Sequence, residues 1–206
     1  MGMKRGIRTA SVLTLVAVII IAFYMYLTRM AGQREERKET QAVTETEKLL
    51  NLDFKKNYPP TPREVIKYYD RFALVLFGEK KPSQSNTTKL ASKLRELFDD
   101  DLANANPEKN YAAALWSQVQ DFKERKARIV QADVCDTDDV VYKTVNGRDV
   151  AYVQVTYLVK EADSYSSTYQ KFVLRKDKDD NWKILGYTRT DKDGNPVSES
   201  NKKTTK

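Results

Sequence analysis

Two short acidic segments near the C-terminus have residue types that could bind a calcium ion. Residues 177–181 (D-K-D-D-N) and 191–195 (D-K-D-G-N) place acidic or amide side chains at the first three ligand positions of a calcium-binding loop. Such a loop then needs glycine, but Trp182 and Pro196 occupy that position, and Thr188 stands where the first segment needs a bidentate glutamate. We therefore predict two turns in which the Asp and Asn side chains cap their own backbone, and no metal site.

Other residues that commonly carry chemistry are scarce. The chain has no histidine and one cysteine, Cys135, so it lacks the usual general base and the usual zinc ligand. A lone cysteine without a histidine to activate it is interpreted as a small apolar residue of a strand. The seven glycines form no phosphate-binding loop. We therefore predict a non-enzymatic protein with no catalytic residue and no cofactor.

An apolar segment near the N-terminus has the length of a membrane span. Residues 9–28, from Thr9 to Thr28, are 20 consecutive uncharged residues, and a helix of that length crosses the roughly 30 Å hydrocarbon core of a bilayer. Tyr26 lies near the C-terminal end of this segment and Arg29 follows the segment, at the positions of an interfacial aromatic and a cation. A cleaved secretory signal is the competing interpretation, but its apolar region is shorter. We predict an uncleaved single-pass anchor in the cell membrane that contacts the lipid bilayer.

Charge predicts the orientation of this anchor. Lys4, Arg5 and Arg8 favour a cytoplasmic N-terminus and an extracytoplasmic C-terminal domain. Most of the net charge of +7 belongs to the first 32 residues, and no basic stripe follows, so we predict no nucleic-acid partner. The predicted organisation is a cytoplasmic tail over 1–8, a transmembrane helix over 9–28, a stalk over 29–59, one domain over 60–190 and a disordered tail over 191–206.

The domain begins with helical patterns. Thr61, Pro62 and Glu64 form the start signal of a first helix, a capping box with proline at the first position. Apolar residues at helical spacing predict a second helix around Leu90 and a third after Asn106-Pro107. The run of acidic residues 99–101 is expected to end the second helix in solvent.

The pattern then changes to the alternation of β-strands. Val130, Ala132 and Val134 alternate with polar residues, and Asn146-Gly147 predicts a tight turn. Longer alternating stretches follow over 151–159, 169–175 and 182–187. Helices followed by strands predict an α+β fold with about three helices packed on a curved antiparallel sheet.

Three amphipathic helices, then long strands over 150–159 and 169–175, then a final hairpin over 180–184, resemble the nuclear transport factor two-like superfamily, whose fold is a cystatin-like cone. The likeness covers about residues 60–190. Together with the anchor it is similar both to the inner-membrane assembly factor of type IV secretion and conjugation systems and to anchored bacterial proteins known only as domains of unknown function. The second group fits the Lys-, Asp- and Tyr-rich composition better.

The resemblance implies a pocket inside the cone. Enzymes of the superfamily, such as ketosteroid isomerases and dehydratases, use an Asp base with Tyr or His donors, and here Asp70 or Asp133 could supply the carboxylate. The alternative is that the tyrosines pack in a core with their hydroxyls at its rim. The candidate pocket-lining residues are Tyr69, Phe72, Tyr152, Tyr157, Tyr169 and Trp182, and Tyr68 is a further candidate hydroxyl.

Three functions stay open at this point. The first is a binding module for a protein or cell-envelope ligand, the second is a scaffold subunit of a secretion or conjugation complex, and the third is a small-molecule isomerase or dehydratase. A deep cavity that holds an Asp and two Tyr hydroxyls would favour the third, and a filled cone would exclude it.

Overall fold

The computed structural model describes residues 44–78 and 80–197. The predicted membrane segment over 9–28 and the predicted cytoplasmic tail lie outside the described residues. Within the described ranges, no helix is both long and apolar enough to cross a membrane.

The described residues form an α+β domain with an antiparallel sheet, as predicted. The sheet order is β1-β3-β4-β5, and β2 pairs with the first residues of β3. Two short helices add to the three that were predicted. The helices are α1 (Glu45–Leu50), α2 (Pro62–Phe77), α3 (Gln84–Arg95), α4 (Asp100–Ala105) and α5 (Glu108–Glu124); the strands are β1 (Ala127–Val134), β2 (Val141–Val145), β3 (Arg148–Glu161), β4 (Ser164–Lys176) and β5 (Trp182–Thr190).

Helix α2 begins where the capping signal places it. The backbone N–H of Glu64 donates to Thr61 Oγ1 over 3.2 Å, and the Thr61 hydroxyl donates to Glu64 Oε2 over 3.1 Å. Its buried residues include Val65, Phe72 and Leu76, which belong to the core shared with the sheet. Helix α2 contacts β1, β3 and β5 and therefore lies across the sheet from one edge to the other.

A β-bulge in β1 changes the predicted alternation. The pairing with β3 skips one residue between Ile129 and Gln131, and Val130 is 38% exposed. The prediction that Val130 shares a face with Ala132 and Val134 is therefore wrong, because an inserted residue reverses the alternation of side chains. Ile129 packs against the core in its place.

The distal part of the predicted stalk packs with the domain. Leu49 is 0% exposed and Phe54 is 4% exposed, and the Phe54 ring meets Tyr68 edge to face with centroids 5.5 Å apart. The compact unit begins at Glu45. The predicted domain start at residue 60 is therefore too late, since the polar composition of 45–59 masked five apolar or aromatic residues that reach the core or its margin.

Replacing Leu49 with alanine tests this boundary. We expect Leu49→Ala to lower the free energy of unfolding of the full chain by about 2–5 kcal/mol, because it leaves a cavity in the core. The neighbouring exposed change Lys48→Ala is the matched control and should cost less than about 0.5 kcal/mol. Chemical denaturation measures both, and equal, near-zero effects would show that this segment is a solvated stalk.

The chain after β5 folds back onto the sheet. Thr190 and Pro196 form a β-bridge, and the Val197 N–H donates to the Arg189 carbonyl over 3.0 Å. Gly194 has a φ of +83°, and a Cβ there would lie 2.3 Å from the Gln154 amide nitrogen. Residues 191–197 are thus an ordered turn, although the sequence predicted disorder from residue 191.

Candidate functional site

A cavity of about 210 Å³ lies between the helices and the β5 edge of the sheet. Helices α2 and α5 form two walls, the segment after α3 forms a third, and β5 closes it. Its mouth includes the exposed residue Ala114 on α5. The walls combine apolar and tyrosine side chains, among them Tyr69, Phe77, Tyr111, Leu115, Ile184 and Tyr187.

Three tyrosines of this cavity are held by ring contacts and not by their hydroxyls. Tyr69 meets Phe172 edge to face with centroids 4.9 Å apart, Tyr187 lies 5.4 Å from the same ring, and Tyr111 lies 5.3 Å from Phe98. Within the described part of the chain, none of the three hydroxyls has a hydrogen-bond partner. Burial raises the pKa of Tyr69 and of Tyr111 above the ordinary value, so both hydroxyls keep their protons and can donate.

Asp70 and Tyr157 form a buried polar pair between α2 and β3. Asp70 is 4% exposed and Tyr157 is 3% exposed, and the Tyr157 hydroxyl donates to Asp70 Oδ1 over 2.5 Å. The other oxygen, Asp70 Oδ2, is buried without a hydrogen-bond partner in the described residues. Burial raises the pKa of Asp70 to about 7, against the opposing effect of the Tyr157 hydrogen bond, and Asp133 raises it further. Asp70 therefore changes charge near neutral pH.

A groove of about 450 Å³ lies at the other edge of the sheet, between α2 and β1. Asp70 lines this groove and does not line the cavity at β5. The carboxylate and the three cavity tyrosines therefore line two different concave sites, although Asp70 lies close enough to Tyr69 for its charge to help raise the pKa of that tyrosine.

Asp99 is buried, contrary to the prediction that the run 99–101 lies in solvent, whereas Asp100 and Asp101 are exposed as predicted. Asp99 is 4% exposed and caps α4, since its Oδ1 accepts from the Asp101 N–H over 2.9 Å. Arg175 of β4 donates to both carboxylate oxygens, with Nε 3.0 Å from Oδ2. The prediction failed because the partner arginine lies on a distant strand.

Of the candidate pocket residues, Tyr69 lines the cavity. Phe72 is fully buried in the core, and Tyr157 bonds Asp70. Trp182 is buried at the start of β5, where its ring packs against Tyr142 with centroids 5.8 Å apart. The residues that were predicted to line one pocket therefore lie in several different parts of the domain.

Tyr152 and Tyr169 lie on the opposite face of the sheet from the cavity. Val153 and Phe172, which neighbour them at odd spacing along β3 and β4, point into the core, and side chains alternate between faces along a strand. Lys143 lies over the Tyr152 ring, 5.5 Å from its centroid. Tyr152 and Tyr169 therefore do not line the cavity, because their side chains lie on the other face of the sheet.

The remaining chemical candidates have structural roles. Asp177 Oδ1 accepts from the N–H groups of Asp179 and Asn181, each over 2.9 Å, and residues 191–195 repeat this pattern, which confirms the predicted turns. Tyr68 packs against Phe54, and Cys135 lies half-buried just after β1.

Sequence reasoning missed Tyr111 and Tyr187 as site residues. Tyr111 lies in the first turn of α5, and Tyr187 lies in the second half of β5. A tyrosine at the end of an apolar pattern indicates a ring that is buried while its hydroxyl reaches the core margin. The sequence does not indicate that these two tyrosines lie close together, which only the tertiary structure shows.

Residues 1–187 match the model of a family described as "Domain of unknown function (DUF6715)". No curated protein matches the sequence. The family match spans both the predicted membrane segment and most of the folded domain.

Proposed function

We propose that this chain, which belongs to the DUF6715 family, is a membrane-anchored binding module that holds a small cell-envelope molecule in the cavity beside β5. The observation that carries this proposal is a cavity lined by three tyrosines whose hydroxyls have no hydrogen-bond partner among the described residues. Apolar walls with a few convergent donors are the usual composition of a ligand site.

The volume of the cavity limits the size of the ligand. Sites for drug-sized molecules measure roughly 300–1,000 Å³, whereas an apolar cavity of about 150 Å³ is enough to bind benzene. The 210 Å³ observed here therefore suits a single ring or a short branched chain.

The walls define the chemistry of the ligand. Apolar side chains favour an apolar body, and the protonated hydroxyls of Tyr69 and Tyr111 favour a hydrogen-bond acceptor on it. A phenol, a benzyl alcohol or a short ester has this combination.

The anchor places this site where such molecules concentrate. The 20 uncharged residues from Thr9 to Thr28 support a membrane-spanning helix, and the basic N-terminal tail supports an extracytoplasmic domain. A small amphipathic ligand that partitions into the lipid headgroups would meet the domain at a raised local concentration.

The separation of Asp70 from the cavity favours binding over catalysis. An isomerase or dehydratase of the kind considered above needs its carboxylate within hydrogen-bond reach of the substrate held by the tyrosines, and Asp70 lies outside that lining. The likeness to the nuclear transport factor two-like superfamily stays a prediction from the order of elements. The scaffold alternative also stays a prediction, which co-purification of several membrane proteins with the full chain would favour.

Closing the mouth of the cavity tests the proposal. We expect phenol, titrated at millimolar concentration by calorimetry against the full chain in lipid nanodiscs, to bind the wild type. The change Ala114→Trp should abolish this binding because the indole covers the mouth. The matched control is Ala113→Trp, an exposed change one residue away on α5 that does not line the cavity, and it should bind as the wild type does.

Tyr111→Phe refines the test by removing a donor and keeping the ring. This variant should weaken the binding of phenol by about 1 kcal/mol and leave the binding of benzene unchanged. Absence of phenol binding to the wild type, or equal binding by Ala113→Trp and Ala114→Trp, would overturn the proposed site.

A further inference from the structure

The groove between α2 and β1 combines one stripe of a helix with the open edge of a strand. Its helical wall is formed by side chains at positions i, i+4, i+7, i+8 and i+11 of α2, and its strand wall by β1. It lies at the edge of the sheet opposite the β5 cavity. The helical residues are Arg63, Lys67, Asp70, Arg71 and Leu74.

The backbone of β1 has groups that face this groove and have no strand partner among the described residues. The Cys135 N–H donates to the Gln154 carbonyl of β3 over 2.9 Å, and the backbone groups of successive residues in an antiparallel strand point alternately to the partner and away. Those of Ala132 and Val134 therefore point away from β3, and both residues line the groove.

Side chains close the two ends of this open edge. Lys81 Nζ donates to the Ala127 carbonyl over 2.9 Å, and Arg63 Nε donates over 2.7 Å to the carbonyl of Cys135, where the chain has already left β1. The backbone of β1 between Ala127 and Cys135 is left for another strand, and this length accommodates a segment of a few residues.

The charges in the groove are unequal. Arg71 pairs with Glu45 over 2.8 Å, and Arg63 lies 3.9 Å from Asp136. Lys67 is exposed and has no ion pair in the part of the chain that the structure describes. Lys67 is therefore the lining cation that is left for an occupant, and it favours an acidic side chain beside it.

Asp70 Oδ2 adds a second, independent indication of a ligand. It is buried without a hydrogen-bond partner in the described residues, and in the ionised carboxylate a buried acceptor without a partner is unfavourable. A donor carried by an occupant would supply the missing hydrogen bond.

We propose that this groove binds an extended, acidic segment of a partner protein, which adds to β1 as a further strand and lies along α2. Its backbone pairs with Ala132 and Val134, an acidic side chain meets Lys67, and a hydroxyl or amide N–H donates to Asp70. Strand addition to an exposed edge beside a helix takes its affinity from main-chain hydrogen bonds and its specificity from side-chain contacts.

The test uses a displayed library of random seven-residue peptides, selected against the full chain in lipid nanodiscs with empty nanodiscs as subtraction. Enriched peptides should carry Asp or Glu, and fluorescence anisotropy should show about tenfold weaker binding to Lys67→Glu. Ala132→Pro should also lose binding, because it removes an N–H that faces the groove and not one that pairs with β3. Peptides methylated at alternate backbone nitrogens should not bind.

Two variants control for general charge and for the other site. Lys89→Glu reverses an exposed charge on α3 and should bind the peptides normally, as should Ala114→Trp at the cavity mouth. The proposal is overturned if no peptide is enriched, if the enriched peptides lack acidic residues, or if Lys67→Glu binds as tightly as Lys89→Glu. The surface change Lys67→Glu keeps the test decisive even if Ala132→Pro does not fold.

Discussion

Replacing Asp70 with asparagine should stabilise the protein at about pH 8 by up to about 4 kcal/mol and make its stability nearly independent of pH between about pH 4 and pH 8. The pKa of Asp70 rises from the ordinary 3.8 to about 7 in the folded domain because the carboxyl is buried. A raised pKa means that the folded state holds the proton more tightly than the unfolded chain. The stability contributed by the neutral carboxyl is complete below about pH 4 and is lost as the pH rises through 7.

The size of the effect follows from the shift of about three pH units, each worth about 1.4 kcal/mol. Asparagine keeps an oxygen that can accept the Tyr157 hydroxyl and has no charge to bury, so Asp70→Asn should match the wild type near pH 4. Chemical denaturation of both proteins across this pH range measures the difference.

The matched control for this prediction is Asp133→Asn, which neutralises the exposed carboxylate that interacts with Asp70. It should leave most of the pH dependence in place. A wild-type stability that does not fall between about pH 4 and pH 8 would show that Asp70 is ionised at little cost in the folded protein.

Asp99→Ala should lower the free energy of unfolding by about 3–5 kcal/mol. The substitution leaves Arg175, whose side chain is 16% exposed, without its buried counter-charge, and it also removes the cap of α4. Removing one partner of a buried pair is costly because the other charge stays desolvated.

The neighbouring residue Asp101 provides the comparison. Its carboxylate also contacts Arg175, over 2.7 Å, but its side chain is 68% exposed. Asp101→Ala should therefore cost less than about 1 kcal/mol. Denaturation curves that give the same loss for both variants would contradict the assignment of Asp99 as the buried partner.

Features that depend on residues close together in the chain could be predicted from the sequence. The capping box at Thr61 and Glu64 starts α2, and Asn146 and Gly147 form the predicted tight turn with φ of 51° and 74°. The aspartate turns at 177–181 and 191–195 belong to the same class. Each arises from hydrogen bonds within a few residues, so the local sequence is enough to specify them.

Features that join distant parts of the chain could not be predicted. Asp70 and Tyr157 are 87 residues apart, and Asp99 and Arg175 are 76 residues apart. The sequence placed Asp70 and Tyr157 among the candidates, but a pattern of residue types does not say which acid meets which hydroxyl. One extra residue at Val130 also reversed the alternation in β1 without any glycine or proline to indicate it.

The sequence by itself determined which reactive residues are present, with no histidine and one cysteine, and it indicated an uncharged segment over 9–28 and an α+β order of elements. Only the tertiary structure decided where the polar groups act. It set three tyrosines around a cavity at β5 and put the carboxylate of Asp70 against Tyr157 of β3, in the groove beside the open strand β1. The physical reason is that burial, which raises a pKa or leaves a hydroxyl free for a ligand, is a property of packed neighbours and not of the residue.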